Sequence, residues 1–538
     1  LFLLFFLQNL IIFYKNIKIL YLCFFILYNL IYKSFLGKNF NMKIQKNNSY
    51  NQNFTGITKI YAIADSHQET RKTSAFLSKI LSDSAKDKNV LLLNCGDIFK
   101  GIYPRNLERD CYLKLKNAKP DVEMVMTLGN NDFGFNKESL DYLIETVKNY
   151  TAEGIHTVCA NIFEAGGKRP GWLKPYTIIN RGGDKNLVTG FCIDNINTAR
   201  FGLIPKKQQD VLNEINEAIL KEKPDNVIIL NHDYMPSSRE IVNTCKNNGI
   251  NVDLLIGGHD HDFVPPDKEL NIYYPKSFSD SMYRMNIENN NGMKKLSGVE
   301  MIENKDLPLN PVFKNDLETY ERATGLYNKI VPYTLDLKKQ YSRPCPLGSF
   351  LADKMMETAN ADAAFFSTGF LMKPMAYRPD TYITNYLFKK TIIADSPVKT
   401  VELSAEELKA VFDNALKTHG YGSSNPRFLQ CSNNIRIEGK NNPEVGQFEV
   451  KQIFINDEPL LDPSSNPLKS NKKYKCIIDS FIADGGQGFK ALQQAEKSDV
   501  IVNGAAVPIN KILLDGLKDA YKKYQPGTQY PSFILKTD

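Results

Sequence analysis

The feature that most limits how this chain can fold is a series of short apolar runs, most of them ended by a loop of chemically useful side chains. The runs are Ile60–Ala64, Val90–Asn94, Met124–Leu128, Thr157–Ala160, Val227–Leu230 and Leu254–Ile256. They are strand-length and rich in Val, Ile and Leu, which suits strands of a buried sheet. Between them, stretches such as Thr73–Ser84 and Gln208–Lys221 carry apolar residues at helical spacing. Strand, loop and helix in alternation predict an α/β domain.

Five of the loops carry candidate metal ligands, in the order Asp65 and His67, Asp97, Asn130, His232, then His259 with His261. In open α/β sheets, ligands gather beyond the carboxyl ends of the strands, so five such loops can converge on one crevice. The residue types suit a pair of cations about 3.5–4 Å apart that grips a phosphate and turns bound water into a nucleophile. Two like charges that close need a bridging carboxylate, and Asp97 suits that role. Asp65, His67 and His261 would complete the first metal's set; Asn130, His232 and His259 would complete the second. Neutral imidazoles and one amide keep the site positive enough for an anionic substrate. A lone histidine at a strand end is more often an ordinary core or surface residue, and His156 and His419 read that way. Zinc, manganese, iron and cobalt all accept such a nitrogen and oxygen donor set.

A chain of 538 residues exceeds one hydrophobic core, so two or three domains are expected. The charge of +7 is spread over scattered lysines, which disfavours a nucleic-acid surface. Nine cysteines fall singly, without a CxxC pair, so neither a disulfide framework nor a structural zinc site is expected. Cys95, Cys159 and Cys192 lie inside apolar runs and read as core residues.

Residues 1–41 hold two apolar blocks, Leu1–Tyr14 and Ile19–Tyr32, each shorter than a membrane span of about 18–20 residues. They read either as an export or anchor segment or as a start site placed too early, the first methionine being Met42. Only the first reading brings a membrane into play, and without it the chain reads as cytoplasmic. Residues 42–56 are Asn-rich and read as a disordered lead-in. The organisation expected is a first domain over 57–303, a linker over 304–342 with a helix at Asp316–Ile330, and a second domain over 343–538. Within the second domain Ser404–Lys417 reads as a helix. Ser404 and Glu407 form a capping box there, and Leu403 with Leu408 a staple.

The ordered motifs DxH, GD, GN, H and GHxH, from Asp65 to His261, resemble those of the calcineurin-like metallophosphoesterases. More narrowly the chain resembles the bifunctional metallophosphatase/5′-nucleotidase family. The narrower likeness rests on PYTIIN at Pro175–Asn180, LGSFLADKM at Leu347–Met355, FLQCS at Phe428–Ser432 and SFIADGGQGF at Ser480–Phe489. It implies a calcineurin-like α/β/β/α metallophosphoesterase sandwich followed by an α+β 5′-nucleotidase substrate-binding domain. It also implies two divalent metal ions, hydrolysis of nucleotides or related phosphate esters, and export to the cell envelope. Phe428 and Phe481 match the two rings that sandwich the base, and Gly485 and Gly486 would let the backbone approach it. Taken alone each ring would read as a core residue of a strand; the flanking glycines Gly485, Gly486 and Gly488 tip the reading towards a ligand.

Departures from the family are as informative. The catalytic histidine that follows the ligand asparagine is Asn131 here, and the aspartate that orients it is Gly134. An amide donates a hydrogen bond but delivers no proton at neutral pH, and general acid catalysis contributes about 10²–10⁴-fold. A ribose-contacting aspartate is Gln487, and a phosphate-gripping arginine is Met372, with Lys373 and Arg378 nearby as possible substitutes. Two alternatives to an active nucleotidase follow: a metal-dependent nucleotide-binding protein with little turnover, or a phosphodiesterase acting on less charged esters, cyclic nucleotides among them.

Overall fold

Ile60, Ala62 and Ala64 are buried against one apolar cluster while Tyr61 and Ile63 are buried against another. Such a strand has no solvent face, and its unbroken apolar run follows from that. The strand is β1 (Thr55–Ile63), joined in parallel to β2 (Val90–Asn94), β3 (Glu123–Met126) and β4 (Ile155–Thr157). A second sheet contains β5 (Tyr176–Arg181), β6 (Asp184–Cys192), β7 (Asn226–His232), β8 (Leu254–Gly258) and β9 (Ile272–Tyr273). Its order is β9-β8-β7-β6-β5, and β6 to β9 run parallel. The hairpin β10 (Ser281–Asn290) and β11 (Met293–Glu303) returns antiparallel to β1 and closes the first sheet as β11-β10-β1-β2-β3-β4. The computed structural model describes residues 55–537, apart from 135, 195, 197, 199–200, 262, 291–292, 341, 393–395, 417–424, 426, 443–446, 465 and 470. The apolar segment 1–41, the lead-in as far as residue 54, and His419 therefore lie outside the described residues.

The sheets face each other across Leu91, Leu93, Val125, Val188, Ile228, Leu230 and Ile256. Helices cover both outer faces. α1 (Thr70–Ser84), α2 (Arg105–Ala118) and α3 (Lys137–Ala152) lie on the first sheet, with Phe76, Leu77, Tyr112 and Leu143 turned into it. α4 (Gln208–Glu222) and α5 (Met235–Asn247) lie on the second through Val211, Leu212, Ile215 and Ile241. This is the α/β/β/α sandwich. All eight cysteines of the described residues are buried and unpaired, Cys95, Cys159 and Cys192 among them.

Several boundaries differ from expectation. The run at Thr157–Ala160 gives its strand earlier, at Ile155–Thr157, and β1 starts at Thr55, inside the expected lead-in. The helix expected at Asp316–Ile330 is α6 (Pro311–Thr324). The Asn310 side chain accepts from Val312 N–H, Pro311 takes the first helical position, and Gly325 at φ +57 closes the helix in a left-handed turn. From composition alone, Asn310 and Pro311 read as linker. α6 packs on the first domain by Phe313, and its Glu321 accepts from Arg71 and from the Tyr103 hydroxyl.

The second domain is built on β12 (Ala363–Ser367), β13 (Val398–Ser404), β14 (Leu429–Cys431), β15 (Lys473–Asp479) and β16 (Lys497–Asp499), in the order β14-β12-β15-β13-β16. Ala363 and Phe365 meet one core; Ala364 and Phe366 meet the other, where α7 (Pro346–Ala359) packs. Helix α8 (Asn385–Thr391) faces the first domain: Tyr386 donates to Glu69, and Lys390 pairs with the same carboxylate at 2.7 Å. α9 (Ala405–Leu416) begins with the expected capping box, Ser404 N–H on Glu407 Oε2 at 2.8 Å and Glu407 N–H on Ser404 Oγ at 3.2 Å. Among the described residues no helix is long and apolar enough to cross a membrane.

Leu93, fully buried between the sheets, is expected to cost about 2–5 kcal/mol when cut to Ala. Leu220→Ala, on the outer face of α4 at 63% exposure, is expected to change stability by less than about 0.5 kcal/mol. Denaturant unfolding of both variants checks the layer assignment.

Candidate metal centre

The carboxyl ends of β1, β2, β3, β7 and β8 deliver Asp65, Asp97, Asn130, His232 and His259 to one place. Asp65, His67, Asp97 and His259 all hold positive φ, between 47° and 79°, a region that costs a side-chain-bearing residue energy and collects at functional sites. Close approach explains Gly129: a Cβ there would lie 2.2 Å from Asp97 Oδ1 and 2.6 Å from the His232 ring. That glycine lets the β3 loop fold over the bridging position.

The seven expected ligands fall into two groups that share Asp97. In the first, donor atoms of Asp65, His67, Asp97 and His261 all lie within 4.8 Å of one another. His67 Nε2 and His261 Nε2 face each other at 2.9 Å. Two nitrogens bound at right angles to one ion, with bonds of about 2.0–2.1 Å, stand about 3 Å apart, so this spacing fits a shared cation. In the second, Asn130 Oδ1 is 2.9 Å from His259 Nδ1 and 3.3 Å from His232 Nε2. Asp97 Oδ2 lies 3.6 Å from His67 Nε2 and 3.4 Å from His232 Nε2, between the two groups. Backbone carbonyls fix the rings: His67 Nδ1–H donates to Lys100 O at 3.2 Å, and His232 Nδ1–H to Cys95 O at 2.7 Å. Each Nε2 is left turned inward.

The electrostatics favour positive charge. Asp65 and Asp97 are almost wholly buried, and burial alone would raise both. The surrounding histidines outweigh it: a hydrogen bond to His261 lowers Asp65, and the charge of His232 holds Asp97 well below the usual carboxylate range. Burial, and next the charge of a neighbouring histidine, push His67 and His259 down to about 4, so both are neutral. Burial also acts to lower His232, but Asp97 and Asp65 overcome it and raise the ring to about 10. Without a cation, His232 supplies the positive charge that the two carboxylates require.

Two residues of this site were not singled out from the sequence. Asp132 follows the ligand loop, and its carboxylate accepts four backbone N–H groups: Asp97 at 2.9 Å, Ile98 at 2.7 Å, Phe99 at 2.9 Å and Gly129 at 2.8 Å. It ties the β2 loop to the β3 loop. Burial, then the charge of Asp97, lift it to about 6. The only hint in the sequence was a second acidic residue close behind Asn130. Lys100 donates to Asn131 Oδ1 at 2.9 Å, and Asn131 in turn donates to Asp97 through its N–H at 2.7 Å and its amide at 2.6 Å. Asn131 thus holds the Asp97 carboxylate and brings a lysine beside it. Gly134 is closed to an aspartate: at φ +67 a Cβ would stand 2.2 Å from Ser139 Cβ. Loss of the aspartate is built into this backbone.

The substrate residues divide. Phe481 is 44% exposed, but Phe428 is 2% exposed and packs beside Phe533 within an apolar cluster. Phe428 is therefore a core residue here, and the expected pair of open rings is reduced to Phe481. Gly486 needs its missing side chain because a Cβ would lie 2.7 Å from the Phe481 ring, so the chain itself accounts for that glycine. Gly485 turns at φ +87, and Gln487, also left-handed, accepts from Ser367 Oγ at 3.4 Å. The Met372 N–H is spent on Thr391 O, while Lys373 lays its ammonium 4.2 Å from the centre of the Phe278 ring. Arg378 is exposed. His156 stays apart from the centre, with Thr177 at 3.2 Å.

Comparison with known proteins agrees with the two halves. The calcineurin-like phosphoesterase family matches residues 58–263, and the 5′-nucleotidase C-terminal domain matches residues 323–494. A 5′-nucleotidase of Diplobatis ommata is 23% identical over 466 residues, 77% of each chain. An apyrase of Tabanus yao is 25% identical over 470 residues, 78% of this chain and 82% of its own. The solved 5′-nucleotidase precursor of Thermus thermophilus shares the fold with a TM-score of 0.68 at 17% identity, covering 89% of this chain and 99% of that one.

Asp132→Ala leaves four buried N–H groups without an acceptor and is expected to lower stability by about 2–4 kcal/mol in denaturant unfolding. Metal content by elemental analysis is expected to fall with it, and to fall also in Gly129→Ala.

Proposed function

The chain belongs to the calcineurin-like phosphoesterases that carry a 5′-nucleotidase C-terminal domain, and from that premise we propose that it hydrolyses nucleotides or related phosphate esters with two divalent cations. The observation that carries the reading is the meeting of seven donors in two groups that share Asp97. Asp65, His67 and His261 would hold one cation, Asn130, His232 and His259 the other, with Asp97 between them. When bound, such cations supply Lewis acidity and a hydroxide nucleophile near neutral pH. Zinc, manganese, iron and cobalt all suit the donors.

The protein's own part is orientation and charge. Asp97, held by the N–H and amide of Asn131, keeps its oxygen between His67 and His232. Asn131 offers a leaving oxygen a hydrogen bond and no proton, and the Lys100 ammonium beside it adds fixed positive charge. Phe481 is the open ring available for stacking a base, a contact of about 1–3 kcal/mol that is tolerant of base identity. A second reading, tight nucleotide binding with little turnover, is favoured by one observation: one of the two amide hydrogens of Asn131 is committed to Asp97, and the amide has no proton to deliver.

With manganese, zinc or cobalt supplied, an aryl phosphate is expected to be cleaved at least about 10²-fold faster than an alkyl phosphate, because only the alkyl leaving group needs a proton. Asn131→His is expected to narrow that gap, and Asp97→Asn to abolish activity together with metal binding. If neither ester is cleaved with any of these metals while calorimetry shows tight nucleotide binding, the hydrolase reading gives way to the second.

A further inference from the structure

A cavity of about 460 Å³ opens beside β4, the edge strand of the first sheet, and none of the seven metal donors lines it. Three elements form its walls. The last turns of α3 bring Lys148, β4 brings His156 and Thr157, and the loop before β5 brings Trp172 and Lys174. The Cys159 N–H donates to Lys174 O at 2.9 Å and pins that loop beside β4, while Trp172, half-buried, packs against the core of the first sheet.

The lining carries hydrogen-bonding groups and positive charge that the fold does not use. Thr157 is only 6% exposed, yet its hydroxyl has no hydrogen-bond partner among the described residues. Thr177 meets His156 at Nδ1 at 3.2 Å, and among the described residues Nε2 has no such partner. Lys148 and Lys174 make no ion pair among the described residues, and no carboxylate lines the cavity. Glu123, whose charge reaches His156, is spent on Arg181 at 2.6 Å and Lys116 at 3.5 Å. A buried hydroxyl without a partner is a standing cost that a bound polar group removes. An indole face beside unpaired ammonium groups suits a ligand that is flat at one end and anionic at the other, since the ring stacks a base and the lysines answer a phosphate.

We propose that this cavity is an accessory binding site for a nucleoside phosphate, with the base stacked on Trp172 and the phosphate held by Lys148 and Lys174. His156 Nε2 and Thr157 Oγ supply hydrogen bonds to the sugar between them. The volume falls within the range of small-molecule sites, about 300–1,000 Å³. Binding here calls for neither metal nor turnover, so it stands whether or not the centre at Asp97 hydrolyses anything.

Trp172 is the chain's single tryptophan, so its emission, excited where tyrosine does not absorb, reports this cavity directly. The probe is the non-hydrolysable phosphonate analogue of adenosine 5′-monophosphate, titrated into the full chain. A saturable change in emission is expected, with adenosine or inorganic phosphate alone binding at least about tenfold more weakly. The double variant Lys148→Ala, Lys174→Ala replaces two exposed side chains and is expected to weaken the phosphonate at least about tenfold, with metal content and thermal midpoint unchanged. No saturable change, equal binding of adenosine or phosphate alone, or undiminished affinity in the lysine variant overturns the proposal. The titration is repeated in Asp97→Asn: a signal that persists there belongs to this cavity, and one lost there belongs to the metal centre and overturns the proposal.

Discussion

Two carboxylates, Asp65 and Asp97, are buried within reach of each other, and their charge raises His232 to hold a positive charge beside them. Removing an ionised carboxylate from water costs several kcal/mol unless opposite charge replaces the lost solvent. Bound cationic charge is the natural remedy, and much of the surrounding structure holds the donors of the candidate site open to it. Left-handed turns aim the side chains inward, carbonyls fix the ring tautomers, and Asp132 binds two loops together with four hydrogen bonds.

How much of this was legible in the sequence follows from the range of each interaction. The buried strands showed because burial on both faces leaves an unbroken apolar run, as in Val90–Asn94, whose bounds match the strand. The capping box at Ser404 and Glu407 showed because its two hydrogen bonds span only three residues. The seven donors showed because each follows a strand end, a place fixed by local sequence. What did not show depends on distant partners. Asp132 makes three of its four bonds to a loop more than thirty residues away, and its place behind Asn130 does not show those partners. Phe428 read equally well as a stacking ring or a core residue until Phe533, from the far end of the chain, closed over it.

The departures from the family pattern are also clearer in three dimensions. Read singly, Asn131 and Gly134 are two losses. In the structure Asn131 is an active member of the site, donating twice to Asp97 and accepting from Lys100. Gly134 has become part of the packing around Ser139, so a return to aspartate would require the first turn of α3 to move. The backbone has settled around the altered residues, which marks them as features of this chain's chemistry more than as isolated damage.

Glu69 lies two residues beyond His67 and receives both Tyr386 and Lys390 from the second domain. One short loop therefore serves two masters, a cation at one end and the docking of a neighbouring domain at the other. Any coupling carried by this loop is reciprocal: what binding at His67 adds to the domain contact, the domain contact adds to binding. The contact that Glu69 makes with the second domain and the ring that His67 turns to its neighbours hang on the same few residues of backbone.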